Sequence, residues 1–188
     1  MARYADTAVV PGAVRWVESG GGPLIAVPEA VLPFWAGADG DETSSDHDRA
    51  CDLDGHVGLL PVGDSRALVL GREPAATTYL PEHTAFVRHH VAGSAAGPLA
   101  AGPLADGPLA DVPAALDAAA WESEVRWRVP GPVVLFDAAR PGRTVREGDH
   151  VRVELTPGRY SVRAARVATG PRTWLGLVRL RPLTGWDH

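Results

Sequence analysis

Residues 57–71, with the sequence VGLLPVGDSRALVLG, decide the fold class of this chain. Two runs rich in valine and leucine, Val57–Val62 and Ala67–Gly71, flank the tripeptide Gly63-Asp64-Ser65. Runs of this kind on either side of a short loop that contains glycine are typical of a β-hairpin. The sequence therefore predicts an antiparallel pair of strands in the middle of its first half.

Short runs of the same character recur on both sides of this hairpin, each bounded by Gly, Pro or Asp. The further predicted strands are Ala13–Val17, Pro23–Val27, Ala85–Val91, Glu124–Val129, Val133–Phe136, Val151–Leu155, Tyr160–Ala165 and Thr173–Leu180. Pro157-Gly158 predicts a second hairpin, between the strands on either side of it. The chain is thus expected to be mostly β.

Helical patterns are few and short. Pro28-Glu29 predicts a short helix towards Trp35, because proline is tolerated in a first turn. Ser44 or Ser45 is placed to cap a helix from Asp46 to Leu53. An alanine-rich segment from Val112 to Ser123 predicts a third helix. The expected fold class is mostly β with a few short helices, in the α+β class.

The clearest boundary in the chain is a repeated tetrapeptide. Gly97-Pro98-Leu99-Ala100, Gly102-Pro103-Leu104-Ala105 and Gly107-Pro108-Leu109-Ala110 follow one another every five residues. A tract punctuated in this way by glycine and proline is not expected to sustain a helix or a sheet ladder. We therefore predict an N-terminal β-unit with inserted short helices at 1–92, a linker or loop at 93–115, and a C-terminal β-unit at 116–188.

The two predicted units also resemble each other. Arg15-Trp16 precedes Gly22-Pro23-Leu24, as Arg126-Trp127 precedes Gly131-Pro132-Val133. Two later matches keep the same order: Thr78-Tyr79-Leu80 with Thr173-Trp174-Leu175, and Phe86-Val87-Arg88 with Leu177-Val178-Arg179. The pattern indicates two similar antiparallel β-units packed together, with the helices inserted into the first copy. Chance matching among short β motifs is the competing explanation.

The composition narrows the classes of partner and location. All 18 basic residues are arginine, in a chain of net charge −5, and they are spread along the sequence. Nucleic-acid binding needs a concentrated basic patch, so nucleic acid is not expected as a ligand. No export signal and no membrane span is recognisable, which predicts a cytoplasmic protein with no membrane partner. The arginine-only basic set, with abundant Ala, Gly and Pro, is typical of a GC-rich, actinobacterial coding bias.

The densest polar segment is the candidate binding site for a partner protein. Its carboxylates and the neighbouring aromatic and basic residues predict contacts through Trp35, Asp39, Asp41, Asp46, His47, Asp48 and Arg49. Tryptophan and arginine are common interface anchors, and Trp35 and Trp186 are the two tryptophans predicted to be exposed. A calcium loop is the alternative for the aspartates, but the glycine and glutamate spacing of such a loop is missing, so no metal is predicted.

Catalytic patterns are weak. Cys51 is the only cysteine, and with a histidine it is a conceivable nucleophile, although its apolar neighbours favour a core position. The chain contains neither a Gly-x-Ser-x-Gly motif nor a phosphate-binding loop. His89-His90 lacks a third partner for zinc. We therefore expect no enzyme activity and no cofactor.

With these residues in view, the chain resembles the Immunity protein 21 family of bacterial polymorphic toxin systems. The segments that carry the resemblance are Trp16–Ile25, Trp35–Gly37, Asp46–Cys51, Val62-Gly63, Ala67–Pro74, Thr77-Thr78, Leu135–Asp137 and Leu155–Tyr160. His47 stands where an aromatic residue is expected. The resemblance implies a mostly β protein that protects the producing cell by binding a cognate toxin, and it carries over no catalytic residue.

Three functional hypotheses follow. The first is an immunity protein that occludes the active surface of a toxin, which the negative charge suggests is basic, such as a nuclease. The second is a small ligand-binding or regulatory module with a pocket between the two halves. The third is a hydrolase that uses Cys51 or a histidine.

Overall fold

The computed structural model describes residues 14–39, 44–92 and 107–184. Within these ranges the chain forms ten strands: β1 (Leu24–Pro28), β2 (Val57–Val62), β3 (Ser65–Leu70), β4 (Ala76–Leu80), β5 (Ala85–Val91), β6 (Glu122–Val129), β7 (Val133–Asp137), β8 (Val151–Val153), β9 (Gly158–Ala168) and β10 (Thr173–Pro182). The α-helices are α1 (Asp46–Cys51), α2 (Gly107–Ala110) and α3 (Val112–Ala118). Three 3-10 helices occupy Glu29–Phe34, Pro81–His83 and Gly142–Thr144.

The strands form two antiparallel sheets of five. The first sheet has the order β2-β3-β1-β7-β8, and the second sheet has the order β4-β5-β10-β9-β6. The predicted mostly β fold with a few short helices, organised as two antiparallel β-units, is confirmed. In the described part of the chain, no helix combines the length and apolar character that crossing a bilayer requires.

The sheets pack face to face around the main hydrophobic core. Alternate residues of the first sheet, such as Leu24, Leu68 and Leu135, meet Trp127 and Val162 of the second sheet there. This alternation is the period of two that half-buried strands show. Trp127 also donates a hydrogen bond from its Nε1 to the carbonyl of Arg66, 2.8 Å away, which ties the second sheet to the start of β3.

The outer faces of both sheets are covered by helices. On the first sheet, Ile25, Val69 and Phe136 pack against the 3-10 helix Glu29–Phe34, against Trp35 and against Ala50 of α1. On the second sheet, Val87 and Leu177 pack against Val112 and Ala115 of α3. Apolar residues on both faces explain why several strands read as continuous hydrophobic runs.

Each sheet takes strands from both sides of the Gly-Pro-Leu-Ala tract. β1 pairs with β7 at the centre of the first sheet, and β5 pairs with β10 at the centre of the second. Leu24 pairs with Asp137 as Pro28 pairs with Val133, and Phe86 pairs with Val178 as Val87 pairs with Leu177. These registers are consistent with an approximate two-fold axis between the first and second halves of the chain.

Two matches of the proposed repeat do not follow this axis. Val17 lies beside β4 as β6 lies beside β9, but Trp127 is in the core between the sheets, whereas Trp16 packs against the cluster beneath α3. The match between Thr78-Tyr79-Leu80 and Thr173-Trp174-Leu175 is wrong, since these segments lie in β4 and β10. The strand that flanks β10 as β4 flanks β5 is β9.

One predicted hairpin is confirmed and the other is wrong. Gly63, at φ +57°, lies in the turn between the paired strands β2 and β3. Pro157-Gly158, in contrast, connects β8 of the first sheet to β9 of the second, and these two strands do not pair. The turn carries the chain across the sandwich, which a turn sequence alone does not distinguish from a hairpin.

Two further local predictions need correction. The third Gly-Pro-Leu-Ala repeat forms the helical turn α2, where glycine and proline occupy the first positions that a helix tolerates. Leu109 then packs against the cluster beneath α3. In the predicted strand at 13–17, the described residues form only the isolated bridge at Val17. The first two repeats lie outside the described residues.

Candidate partner-binding surface

The predicted contact segment lies at one end of the first sheet and is organised by α1. The capping residue is Ser45, whose Oγ accepts a hydrogen bond from the backbone N–H of Asp48 at 3.0 Å. The Asp48 carboxylate accepts in return from the backbone N–H of Ser45, also at 3.0 Å. This reciprocal capping box explains why the helix begins at Asp46. The hydrogen bonds that the backbone N–H and the hydroxyl of Ser45 donate to the Asp48 carboxylate hold the pKa of Asp48 below its usual value.

Asp46 joins α1 to the segment that follows the first 3-10 helix. Its Oδ2 accepts a hydrogen bond from the backbone N–H of Ala36 at 2.7 Å, and its Oδ1 pairs with Arg49. The backbone N–H of His47 donates to the carbonyl of Gly37 at 3.0 Å. Asp46 is therefore engaged by its own chain, although the sequence placed it among the partner contacts.

Trp35 is buried, with 1% of its surface exposed, so the prediction of an exposed tryptophan is wrong. Its Nε1 donates to the carbonyl of Ala138 at 3.0 Å, and its ring joins the cluster on the outer face of the first sheet. The exposed aromatic residue is its neighbour Phe34, at 64%.

The residues that α1 and its flanks present to solvent are mainly acidic. We call Asp39, Asp48, Asp52 and Asp54 the acidic surface, since all four are exposed. Arg49 lies among them with 39% of its side chain exposed. The Asp54 Oδ1 is 3.6 Å from the Arg72 Nη1. Two predicted residues, Asp41 of the contact segment and Trp186, lie outside the described residues.

Behind the acidic surface, several distant segments converge on Asp137. Its carboxylate accepts hydrogen bonds from the backbone N–H of Gly20 at 2.8 Å and of Ala139 at 3.0 Å. His47 lies so close to Gly22 that a Cβ there would be 2.6 Å from its Nε2. The segments that carry the resemblance around residues 20–22, 35–37, 46–51 and 136–137 thus meet in one place, which the sequence did not reveal.

Cys51 and His47 lie next to each other, as a nucleophile and a base would. The Cys51 Sγ is 3.6 Å from the Nε2 of His47. Burial, followed by the charges of Asp48 and Asp52, raises the pKa of the Cys51 thiol. Catalytic cysteines need a lowered pKa, so this environment disfavours the hydrolase hypothesis. Across the described residues, no three His, Cys, Asp or Glu side chains are grouped to hold a metal ion.

A second charged surface lies on the outer face of the second sheet, beyond the part covered by α3. Cross-strand pairing aligns Arg126 with Ser161 and Arg181, Arg128 with Arg159, and Arg163 with Arg179. We call these six arginines the arginine face: Arg126, Arg128, Arg159, Arg163, Arg179 and Arg181. The arginines are spread along the sequence, but cross-strand pairing brings these six onto one face of the second sheet.

The comparisons with known proteins were made for the whole chain. A family model described as Immunity protein 21 matches residues 15–173. This range includes α1, the convergence around Asp137 and strands β1 to β9, and it ends at the first residue of β10. No curated protein and no solved structure matches the chain.

Proposed function

Because this chain belongs to the Immunity protein 21 family, we propose that it binds a cognate bacterial toxin and neutralises it by covering the toxin's active surface. The observation that carries the proposal is the family match, which extends through nearly all of the described fold. In this proposal the protein acts in the cytoplasm of the producing cell. It performs no chemistry of its own and needs no cofactor, nucleic acid or membrane.

We propose the acidic surface as the contact region. Its four carboxylates are exposed, and Phe34 supplies an exposed aromatic side chain on the same outer side of the first sheet. A stable complex commonly buries ~1,600 Å² in total around a few anchors. A basic toxin would be complementary to such a surface, and nucleases are basic where they contact phosphates. Of the predicted contact residues, Asp39 and Asp48 belong to the acidic surface, and His47 and Arg49 are half-buried beside it. Asp41 lies outside the described residues.

The first test is co-purification with the product of the neighbouring open reading frame, followed by a growth-rescue assay. We expect a stable complex and restored growth when both proteins are produced together. If that product is verified as toxic and neither complex nor rescue is found, the immunity function is contradicted.

The contact region is tested by charge reversal on two surfaces. The variant Asp39→Lys, Asp52→Lys, Asp54→Lys changes the acidic surface and leaves the capping box of α1 intact. The matched control, Arg126→Glu, Arg128→Glu, Arg181→Glu, reverses three charges on the arginine face. We expect the first variant to lower toxin affinity about 100-fold or more, since close interfacial charge pairs contribute several kcal/mol. Loss of affinity only in the control would place the toxin on the arginine face.

A second candidate function, small-ligand binding, is favoured by one specific observation. A cavity of about 220 Å³ is lined by residues from both halves of the chain, as the alternative hypothesis requires. Its lining residues Gly55, His56 and Arg72 adjoin Asp54 of the acidic surface. Ligand binding there is compatible with the immunity function.

A further inference from the structure

The cavity is formed where the β3–β4 loop meets the strands β5, β9 and β10. Its lining includes Gly71 and Glu73 from the loop, Arg88 and His90 from β5, Arg166 from β9, and Trp174 from β10. Leu177, Val178 and Ala164 contribute apolar parts of the wall. A concave space with apolar walls and a few convergent polar groups is the usual form of a ligand site.

Arg88 is the central polar group of this cavity. Its side chain is buried, with 4% exposed, and its Nη2 donates to the backbone carbonyl of Glu73 at 2.6 Å. Its Nε is buried and has no hydrogen-bond partner among the described residues. Burial lowers the pKa of Arg88 to about 10, so the guanidinium remains charged at neutral pH. The charge of Glu73 favours the charged form, but no carboxylate of the described residues is within ion-pair distance of Arg88. A buried charge in this position is costly, so the site favours binding of an anion.

Two positions beside the Arg88 side chain are glycines, and a side chain at either of them would crowd Arg88 or its neighbour His90. A Cβ on Gly71 would lie 2.2 Å from the Arg88 Nη1, and Gly71 has a φ of +57° that side chains rarely adopt. Gly176, which pairs with Arg88 across β5 and β10, would place a Cβ 3.3 Å from the His90 Nε2. The backbone on both sides is therefore shaped around the guanidinium.

The other charges around the cavity are nearly balanced. The guanidinium of Arg166 lies over the Trp174 ring at 4.2 Å and is 3.7 Å from the Glu73 carboxylate. The same carboxylate is 3.7 Å from the His90 Nδ1, and the His90 ring stacks on Trp174. Arg72 also lines the cavity, and its Nη1 is 3.6 Å from the Asp54 Oδ1. Because Arg166 lies beside Glu73 and Arg72 beside Asp54, Arg88 is the arginine of this lining with no carboxylate of the described residues in ion-pair distance. An anion with one negative charge balances it, and the nearby Glu73 carboxylate disfavours a second negative charge.

We propose that this cavity binds a small monocarboxylate, whose oxygens accept hydrogen bonds from Arg88 and whose short apolar part lies against Trp174 and Leu177. A planar guanidinium with a free Nε matches the two oxygens of a carboxylate, and the apolar walls match a short aliphatic chain. This binding goes beyond toxin neutralisation and is measured on the protein alone, so its failure leaves the immunity function untouched.

The test compares butyrate with butyramide, a neutral molecule of nearly the same shape, at constant ionic strength. We expect butyrate at about five times its Kd to raise the melting temperature by about 2–4 °C, and butyramide to leave it unchanged. Isothermal titration calorimetry should give one butyrate per chain. Equal effects of the two molecules, or no effect of either, would overturn the proposal.

Two variants assign the binding to the cavity. Arg88→Met removes the charge at similar length and should fold, because it also removes an unpaired buried charge. It should abolish the response to butyrate. Glu73→Gln keeps Arg88 and removes the competing carboxylate, so it should bind butyrate at least about threefold more tightly, through reduced repulsion. A butyrate response that survives in Arg88→Met, or a response to inorganic phosphate in place of butyrate, would contradict the monocarboxylate assignment.

Discussion

Phe34 is exposed and its neighbour Trp35 is buried. Substitutions at these two positions therefore test binding and stability separately. Trp35→Phe removes the hydrogen bond to the Ala138 carbonyl and leaves that buried carbonyl without its donor. We expect it to lower the free energy of unfolding by about 1–3 kcal/mol, measured by urea denaturation. Phe34→Ala changes an exposed side chain and should alter stability by less than about 0.5 kcal/mol.

The same pair gives a matched test of the contact region. Phe34→Ala should weaken toxin binding, while Trp35→Phe should leave the affinity of the folded protein nearly unchanged. Stability that falls equally in both variants would contradict the environments described for the two rings. Unchanged affinity in Phe34→Ala would remove Phe34 as an anchor.

His90 predicts a dependence of stability on pH. Burial, and then the charges of Arg88 and Arg166, lower the pKa of His90 to about 3. The unfolded chain takes up a proton below about pH 6.5. The folded chain does so only near pH 3, so the free energy of unfolding falls as pH falls through this window. The charged or titratable groups that face His90 are Arg88, Arg166, His89, His56 and Glu73.

The contribution of His90 is isolated by His90→Phe, which keeps a ring to stack on Trp174. Between pH 7 and pH 5 we expect the wild type to lose more stability than the variant, by on the order of 2 kcal/mol. Between pH 7 and pH 8 the two proteins should show the same change. If the free energies of unfolding of the two proteins changed in parallel over the acidic range, His90 would be protonated in the folded state as readily as in the unfolded chain.

Single residues were predicted from the sequence with mixed success, for a physical reason. The cap at Ser45 was predictable because capping is local: Ser45 and Asp48 are three residues apart. The burial of Trp35 depends on Ala138 and Phe136, about a hundred residues away, so the polar residues that follow it in sequence were misleading. The cavity around Arg88 combines three strands and a loop, and no local pattern announces it.

At the scale of elements, the contact between two 3-10 helices depends on one glycine. Gly142 begins the helix Gly142–Thr144, and a Cβ there would lie 1.9 Å from the carbonyl oxygen of Leu32 in the helix Glu29–Phe34. We expect Gly142→Ala to cost about 1–3 kcal/mol, because backbone must move to admit the methyl group. Thermal unfolding followed by circular dichroism measures the loss.

Gly131 provides the matched control for this substitution. It lies between β6 and β7, and a Cβ there would meet nothing within 4 Å. Gly131→Ala should leave stability unchanged or raise it by up to about 1 kcal/mol, through the smaller conformational freedom of the unfolded chain. If both substitutions had the same effect, close approach of the Leu32 carbonyl would not explain the cost at Gly142.

Elements were well predicted where their signals are local. The bounds of β2 and β5 agree with the predicted Val57–Val62 and Ala85–Val91. β4 was missed as a strand, because Ala76, Thr77 and Thr78 are all buried and show no alternation of apolar and polar residues. Which strands pair with each other was the least predictable property. For example, β8 pairs with β7 and not with β9, and this choice depends on packing between the two sheets.

On the scale of the whole molecule, charge is distributed more unevenly than the net value of −5 suggests. The acidic surface lies on the outer side of the first sheet, and the arginine face lies on the outer side of the second. Cross-strand pairing creates the arginine face from the consecutive strands β9 and β10 and from β6, which lies about thirty residues before β9 in the sequence. Composition alone could not show this separation of charge.

The central pairings, β1 with β7 and β5 with β10, also set the order in which the protein can be completed during synthesis. A ribosome adds about 5–20 residues per second, so the first half waits several seconds for its partner strands. During that time β1 and β5 have bare edges, and such edges recruit other chains. A fragment of residues 1–101 should therefore aggregate when produced alone.

Co-production of fragments 1–101 and 102–188 should yield a soluble non-covalent complex, because each fragment supplies the edges that the other lacks. Gel filtration of the co-purified fragments measures this outcome, and a soluble monomeric 1–101 fragment would contradict it. If the fragments do reassemble, the Gly-Pro-Leu-Ala tract serves mainly to deliver the second set of strands quickly and at high local concentration. The protein would then be most prone to aggregation while it is being translated.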